Sequence, residues 1–191
     1  MKLATLASAI LLLAAPLAIA QTSTWKSDPM HSEVDFAVRH MGITNVRGQF
    51  GPVNATVVYD SKNVGNSTVQ ATINVSAVNT GVAPRDNDLK GSNFFDVAKY
   101  PNATFVSTRV TRDGPGLLVD GNLTIKGITK PVVLHVDGPT APVIGMDKKT
   151  HVGFSATTTI DRRDFDLAPA VPSAIVGDQV SLTIDLDVAK Q

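Results

Sequence analysis

Residues 180–188 alternate without a fault. Val180, Leu182, Ile184, Leu186 and Val188 fall on one side, and Ser181, Thr183, Asp185 and Asp187 on the other. A period of two, carried by β-branched and aliphatic residues, is the signature of a strand with one face in a core and one in water. The same pattern recurs in Val34, Phe36 and Val38, in Val69-Ala71-Ile73-Val75-Ala77, in Val119-Gly121-Leu123-Ile125 and in Val152-Phe154-Ala156-Thr158-Ile160. Weaker versions span 53–59, 103–110 and 132–136. Turn-forming residues separate them, among them Asp113-Gly114-Pro115-Gly116, Lys126-Gly127 and Asp137-Gly138-Pro139. About eight long strands with one apolar face each predict an all-β domain, either a sandwich or a closed antiparallel barrel. The alternation lapses between Pro84 and Tyr100, where a short helical insert is expected near residues 85–98.

The first twenty residues follow another logic. Lys2 precedes an almost wholly apolar run from Leu3 to Ile19, which ends in Ala18-Ile19-Ala20. A charged start, an apolar middle and a small-x-small end predict a cleavable secretory signal over 1–20 and one mature domain over 21–191, exported to the periplasm. No second long apolar run follows, so no stable membrane insertion is expected. Seventeen Lys and Arg balance seventeen Asp and Glu, a charge pattern that does not suit a nucleic-acid partner. With no Cys in the chain, stability has to come from the core and from strand pairing.

The residues that carry chemistry elsewhere form no recognisable constellation here. His31, His40, His135 and His151 show no zinc-motif spacing, so no metal site is expected. No G-x-S-x-G element is present, and no catalytic residue is assigned. Arg162-Arg163-Asp164 reads as a salt-bridge cluster at a rim. The inward-facing positions are unusual in being small at Gly48, Ala71, Ala77, Ala103, Gly121 and Ala156. Such positions either leave room for a ligand or face a large neighbour.

Several segments, in order, resemble the YceI-like family of periplasmic polyisoprenoid- and lipid-binding proteins. They are residues 31–42 (His-Ser-Glu-Val-Asp-Phe-Ala-Val-Arg-His-Met-Gly), Val46-Arg47-Gly48-Gln49-Phe50, residues 84–97, Tyr100-Pro101-Asn102-Ala103-Thr104-Phe105, residues 123–132, Gly153-Phe154-Ser155-Ala156, Ile160-Asp161-Arg162-Arg163-Asp164-Phe165 and Val176-Gly177-Asp178-Gln179-Val180. The chain departs from the family's habit at Asp166, often Gly, and at Asp88, often His. The resemblance implies an extended, lipocalin-like antiparallel β-barrel that holds a long apolar chain in a tunnel: a polyisoprenoid, an isoprenoid quinone or a fatty-acid-like lipid. This lipid is the expected partner, with no other cofactor, and a homodimer is left open. The residues expected along the tunnel are Phe36, Val38, Phe50, Ile73, Phe105, Leu123 and Phe154, with Phe94, Phe95 and Phe165 near its mouth and His40 beside a polar head group. Two other readings compete with a carrier. One is a small periplasmic hydrolase or isomerase acting on a lipid through His40 and nearby carboxylates. The other is a structural or stress protein whose barrel is packed solid.

Overall fold

The computed structural model describes residues 22–191; the expected signal segment lies outside the described residues. Eleven strands form one antiparallel sheet that curls onto itself. They are β1 (Thr22–Ser27), β2 (Glu33–His40), β3 (Thr44–Gln49), β4 (Val53–Asp60), β5 (Thr68–Asn74), β6 (Asn102–Asp113), β7 (Gly116–Ile125), β8 (Ile128–Asp137), β9 (Val143–Ile144), β10 (Thr150–Asp161) and β11 (Val176–Lys190). Eight of them close a ring in the order β1-β4-β5-β6-β7-β8-β10-β11 and back to β1. Closure removes the exposed edges that make an open sheet prone to aggregate. The β2–β3 hairpin extends from β11, and β9 is a short ribbon on β10.

β11, which carries the strongest alternation in the sequence, is the spine of the barrel. On one side it pairs with β10 from Asp161↔Gln179 to His151↔Ala189. On the other side it pairs with β2 as far as Asp185↔Glu33, then with β1 from Ser27↔Val188 to Trp25↔Lys190. The change of partner falls at Leu186–Asp187, where the turn between β1 and β2 crosses. There the Asp28 N–H donates to the Asp187 carbonyl at 2.8 Å. The Ser32 hydroxyl donates to the same carbonyl and accepts from the Asp187 N–H, both at 3.1 Å.

Turn chemistry sets the register of the hairpins. Lys126 and Gly127 join β7 to β8 with φ of 50° and 76°. Two residues at positive φ make the tight connection whose twist matches a hairpin, and glycine adopts it without strain.

Three differences from the sequence reading have local causes. The strand expected to run through Val75 and Ala77 stops at Asn74, and Val75–Ala77 form a 3-10 turn. The Asn74 side chain accepts from the Ser76 N–H at 3.0 Å, which satisfies that backbone group outside the sheet. The helical insert is shorter than expected. Helix α1 spans Ala83–Lys90, entered through Pro84, and ends at Gly91; the rest of the segment to Lys99 is turns. Finally, β1 has a single large apolar residue, Trp25, and so gives almost no alternation signal, yet it closes the ring. Trp25 packs with Val57, Val152, Phe154 and Val188 in a small cluster beside the main core, and its indole N–H donates to the Ser23 hydroxyl at 2.7 Å.

Candidate ligand chamber

The inside of the barrel is not filled. The main chamber has a volume of about 160 Å³ and a second one about 70 Å³. Both touch Val69, Leu134, Ile184 and Leu186, so these four side chains stand between them. No polar surface faces the main chamber. Its walls come from strand faces of period two: Val180, Leu182, Ile184 and Leu186 of β11, Val132 and Leu134 of β8, Ala71 and Ile73 of β5, and Ala103 and Phe105 of β6. One end is lined by Leu89 of α1, Phe94 and Phe95 of the turns after it, Leu167 of the loop before β11 and Val176, the first residue of β11.

Of the residues expected along a tunnel, Phe36, Val38, Phe50, Ile73, Phe94, Phe95, Phe105 and Leu123 line the main chamber, and Phe154 lines the second. Phe36 and Phe50 lie 5.1 Å apart, and Phe50 meets Phe95 edge-on at 5.4 Å, so one wall is a run of three aromatic rings. Two expected residues fall elsewhere. Phe165 is 1% exposed and belongs to the packed core, outside both chambers. His40 ends β2 opposite Val176 and lines neither chamber.

The small residues separate into two groups. Ala71 and Ala103 border the main chamber, and Ala156 borders the second. Gly48 and Gly121 instead seat aromatic rings. A Cβ on Gly48 would stand 2.5 Å from Phe36 Cζ, and one on Gly121 would overlap the ring of Phe105. Ala77 lies off the barrel wall, in the 3-10 turn against Gly51. Gly121→Ala is therefore expected to push Phe105 off its seat and cost about 1–3 kcal/mol, the usual range for overpacking. Urea unfolding checks this, and an unchanged midpoint would mean that the ring moves aside freely.

Arg162 corrects the sequence reading most clearly. It is not at a rim but 2% exposed. Its five N–H groups meet five carbonyls: Nε that of Gly177 at 3.2 Å, Nη1 those of Leu167 at 2.9 Å and Ala168 at 2.6 Å, and Nη2 those of Val171 at 2.8 Å and Val176 at 3.1 Å. Asp178 lies 2.9 Å from Nη2 and supplies the counter-charge. A planar cation with five fixed donors can hold an irregular loop in this way, where a lysine could not. The loop it holds carries Leu167 into the chamber wall and leads into Val176, the first residue of β11. Arg163 does lie at the surface, pairing with Asp178 at 2.7 Å.

Asp178 also accepts from the Ser173 hydroxyl at 2.6 Å. Hydrogen bonds from Ser173 and Arg163, and the charges of Arg163 and Arg162, hold its carboxyl below the usual carboxylate range. A depressed acid stabilises the fold while it is ionised. The contribution is fully present above the ordinary value of about 4 and is lost as pH falls through the lower folded value. Thermal melts are expected to show an acid-side loss below about pH 4 that is blunted in Asp178→Asn, the variant being less stable at neutral pH. Parallel pH profiles for the two proteins would remove Asp178 from this role.

Comparison with known proteins agrees with this architecture. Residues 25–188 match the YceI-like domain. The chain belongs to the YceI-like family. It is 35% identical to Protein YceI of Escherichia coli O157:H7 over 191 residues, covering 96% of this chain and 94% of that protein. Among solved structures, BcnA of Burkholderia cenocepacia superimposes with a TM-score of 0.72 at 26% identity, covering 84% of this chain and 98% of that one. A polyisoprenoid binding domain from Saccharophagus degradans superimposes with a TM-score of 0.62, covering 90% of this chain and all of that one. At 15% identity the last likeness is one of fold. In this member of the family the fold is the eight-stranded ring described above, with a chamber inside it.

Proposed function

We propose that this protein is a periplasmic carrier that holds one long apolar chain, such as a polyisoprenoid, an isoprenoid quinone or a fatty-acid-like lipid, in the interior of its barrel. The observation that carries this reading is a chamber inside the barrel with no polar surface, separated from a second one by four apolar side chains that both share. An unfilled chamber inside a packed protein forgoes dispersion contacts on every side, and an apolar guest restores them. Each methylene transferred from water contributes about 0.8 kcal/mol, so ten contribute about 8 kcal/mol before ordering costs, near micromolar affinity. A cavity of roughly 150 Å³ accommodates a single benzene ring. A long chain therefore fills the main chamber, parts the four shared side chains to reach the second and leaves its remaining length towards the end beside α1. Loops yield more readily than strands, so entry is expected between α1 with its following turns and the loop held by Arg162.

The same geometry favours binding over catalysis. Among the described residues, Arg162 is the one charged side chain on the main chamber, and its donors are all engaged. None of the groups with shifted pKa values lines it. His40, the residue on which an enzymatic reading would depend, lies outside both chambers. No helix among the described residues is long and apolar enough to cross a membrane.

The test uses protein recovered from the exported fraction of its natural host. Native mass spectrometry with organic extraction is expected to show one apolar chain per protein and a polypeptide starting at Gln21. Delipidated protein is expected to take up a fluorescent long-chain fatty acid, and His40→Ala to leave that uptake within about twofold, a change of about 0.4 kcal/mol. No extractable lipid together with no probe uptake would rule out the carrier reading. Turnover of a lipid ester that vanishes in His40→Ala would put an enzyme in its place.

A further inference from the structure

On the outside of the barrel, two histidines and three aspartates meet at the point where β11 changes partner. Asp28 and His31 stand on the turn between β1 and β2, Asp187 on β11, His151 on β10 and Asp147 just before β10. His31 Nδ1 is 2.8 Å from Asp28 Oδ2. One ligand atom from each of Asp28, His31 and Asp187 lies within 4.8 Å of the other two. Behind them, His151 Nδ1 is 2.6 Å from Asp187 Oδ1, and its Nε2 is 3.1 Å from Asp147 Oδ1.

Two further observations set this group apart from a chance gathering of surface charge. The backbone of the turn that carries Asp28 and His31 is tied to Asp187 itself, by the Asp28 N–H and the Ser32 hydroxyl, so the three side chains issue from one fixed frame. Moreover, among the described residues, no Lys or Arg side chain pairs within 4.0 Å with the carboxylates of Asp28, Asp147 or Asp187; their close side-chain partners are the two imidazoles, beside the N–H groups of Met30 and Lys149. The cluster thus sets three carboxylates against two imidazoles, with acidic groups in excess.

We propose that Asp28, His31 and Asp187 form a surface site for a divalent transition-metal ion, zinc, with His151 orienting Asp187 from behind. Zinc takes imidazole nitrogen and carboxylate oxygen at about 2.0–2.2 Å, which sets ligand atoms roughly 3.4 Å apart in a tetrahedral shell. One ligand atom from each of the three side chains lies within 4.8 Å of the others, near that spacing, and water would complete the shell. The imidazole nitrogen disfavours calcium and magnesium, which prefer all-oxygen sites, and the lack of thiolate disfavours copper(I). The hydrogen bond from His151 to Asp187 is the kind of outer support that orients a metal-binding carboxylate. A bound ion would pin the β1–β2 turn to β11 where the ring shuts. The site is separate from the lipid chamber and does not depend on what the chamber holds.

The test titrates zinc chloride into the metal-stripped, full-length exported protein, followed by calorimetry and by the thermal midpoint. One ion per chain is expected, with a midpoint that rises with zinc. His31→Ala and Asp187→Asn are each expected to weaken binding by at least about tenfold, and His151→Gln by about tenfold. His135→Ala, on β8, should bind as the parent does. Circular dichroism verifies folding, and His31, with its side chain 65% exposed on a turn, is the variant least able to disturb it. No binding up to about 100 µM zinc, about 5.5 kcal/mol, would overturn the proposal. So would binding that survives both His31→Ala and Asp187→Asn, or that is lost equally in His135→Ala.

Discussion

Arg162→Ala is expected to lower stability by about 3–5 kcal/mol, the loss typical of breaking a buried, fully engaged charge. The change removes one side chain but strands five carbonyls, those of Leu167, Ala168, Val171, Val176 and Gly177, and leaves Asp178 without its inner partner. A buried acceptor left without a donor keeps its full desolvation cost. The damage should be concentrated in the segment from 162 to 178, so hydrogen exchange is expected to rise there first, with the ring strands protected to higher denaturant. Lipid retention should fall with it, since Leu167 of this loop and Val176, where the loop enters β11, line the chamber. Arg162→Lys is expected to recover little, because an ammonium has three donors and no fork. An Arg162→Ala protein with the parent's urea midpoint would mean that water replaces the guanidinium at no cost, and the loop would then not be held as described.

Ala71→Phe is expected to act in the opposite sense on stability and binding. Ala71 stands on β5 between Ala55 and Phe105 and borders the main chamber. A ring added there enters empty space. Delipidated protein should change by less than about 1 kcal/mol and in the stabilising direction, as cavity-filling substitutions commonly do. A ligand that loses the room for three methylenes forfeits about 2.4 kcal/mol, so uptake of a long-chain probe should drop more than tenfold. The two measurements together are decisive. A loss of stability of about 1–3 kcal/mol with unchanged uptake is the mark of overpacking in a solid interior, and would show that the chamber is not where the ligand lies.

How much of this was legible in the sequence depends on range. The faces of β10 and β11 were plain, because residues two apart share a face whatever the tertiary structure. β1 was not, since five of its six residues are polar and only pairing to β4 and β11 makes it a strand. The small inward residues were ambiguous for a physical reason. A glycine that seats a ring, as Gly121 does for Phe105, and an alanine that borders a void, as Ala71 does, look alike until the cross-strand neighbour is known. Arg162 looked like its neighbour Arg163, because the carbonyls that bury it come from an irregular loop with no periodicity to read. The resemblance to a family supplied the choice of barrel over sandwich. It also marked Asp166, often Gly in that family, which the structure shows at φ 55° in the left-handed region where glycine is at ease. His31 and His151 meet only through the β1–β2 turn and β10, so no spacing rule could have joined them.

The order in which the strands are made has a consequence of its own. β11 is the last strand in the chain, yet it is the one that joins β10 to both β1 and β2. Until it arrives, the earlier strands can form a meander from β4 to β8 but not a ring, and the edges of β1, β2 and β10 stay unpaired. Such late pairing between distant parts of a chain makes for slow assembly and leaves sticky intermediates along the way. For the export proposed above, slowness is an asset: a domain unable to close before the fifteen residues of β11 emerge is still threadable when the translocation machinery receives it. The same delay leaves the interior open to water and lipid until the end, so the barrel can close around a guest instead of waiting for one to find a way in.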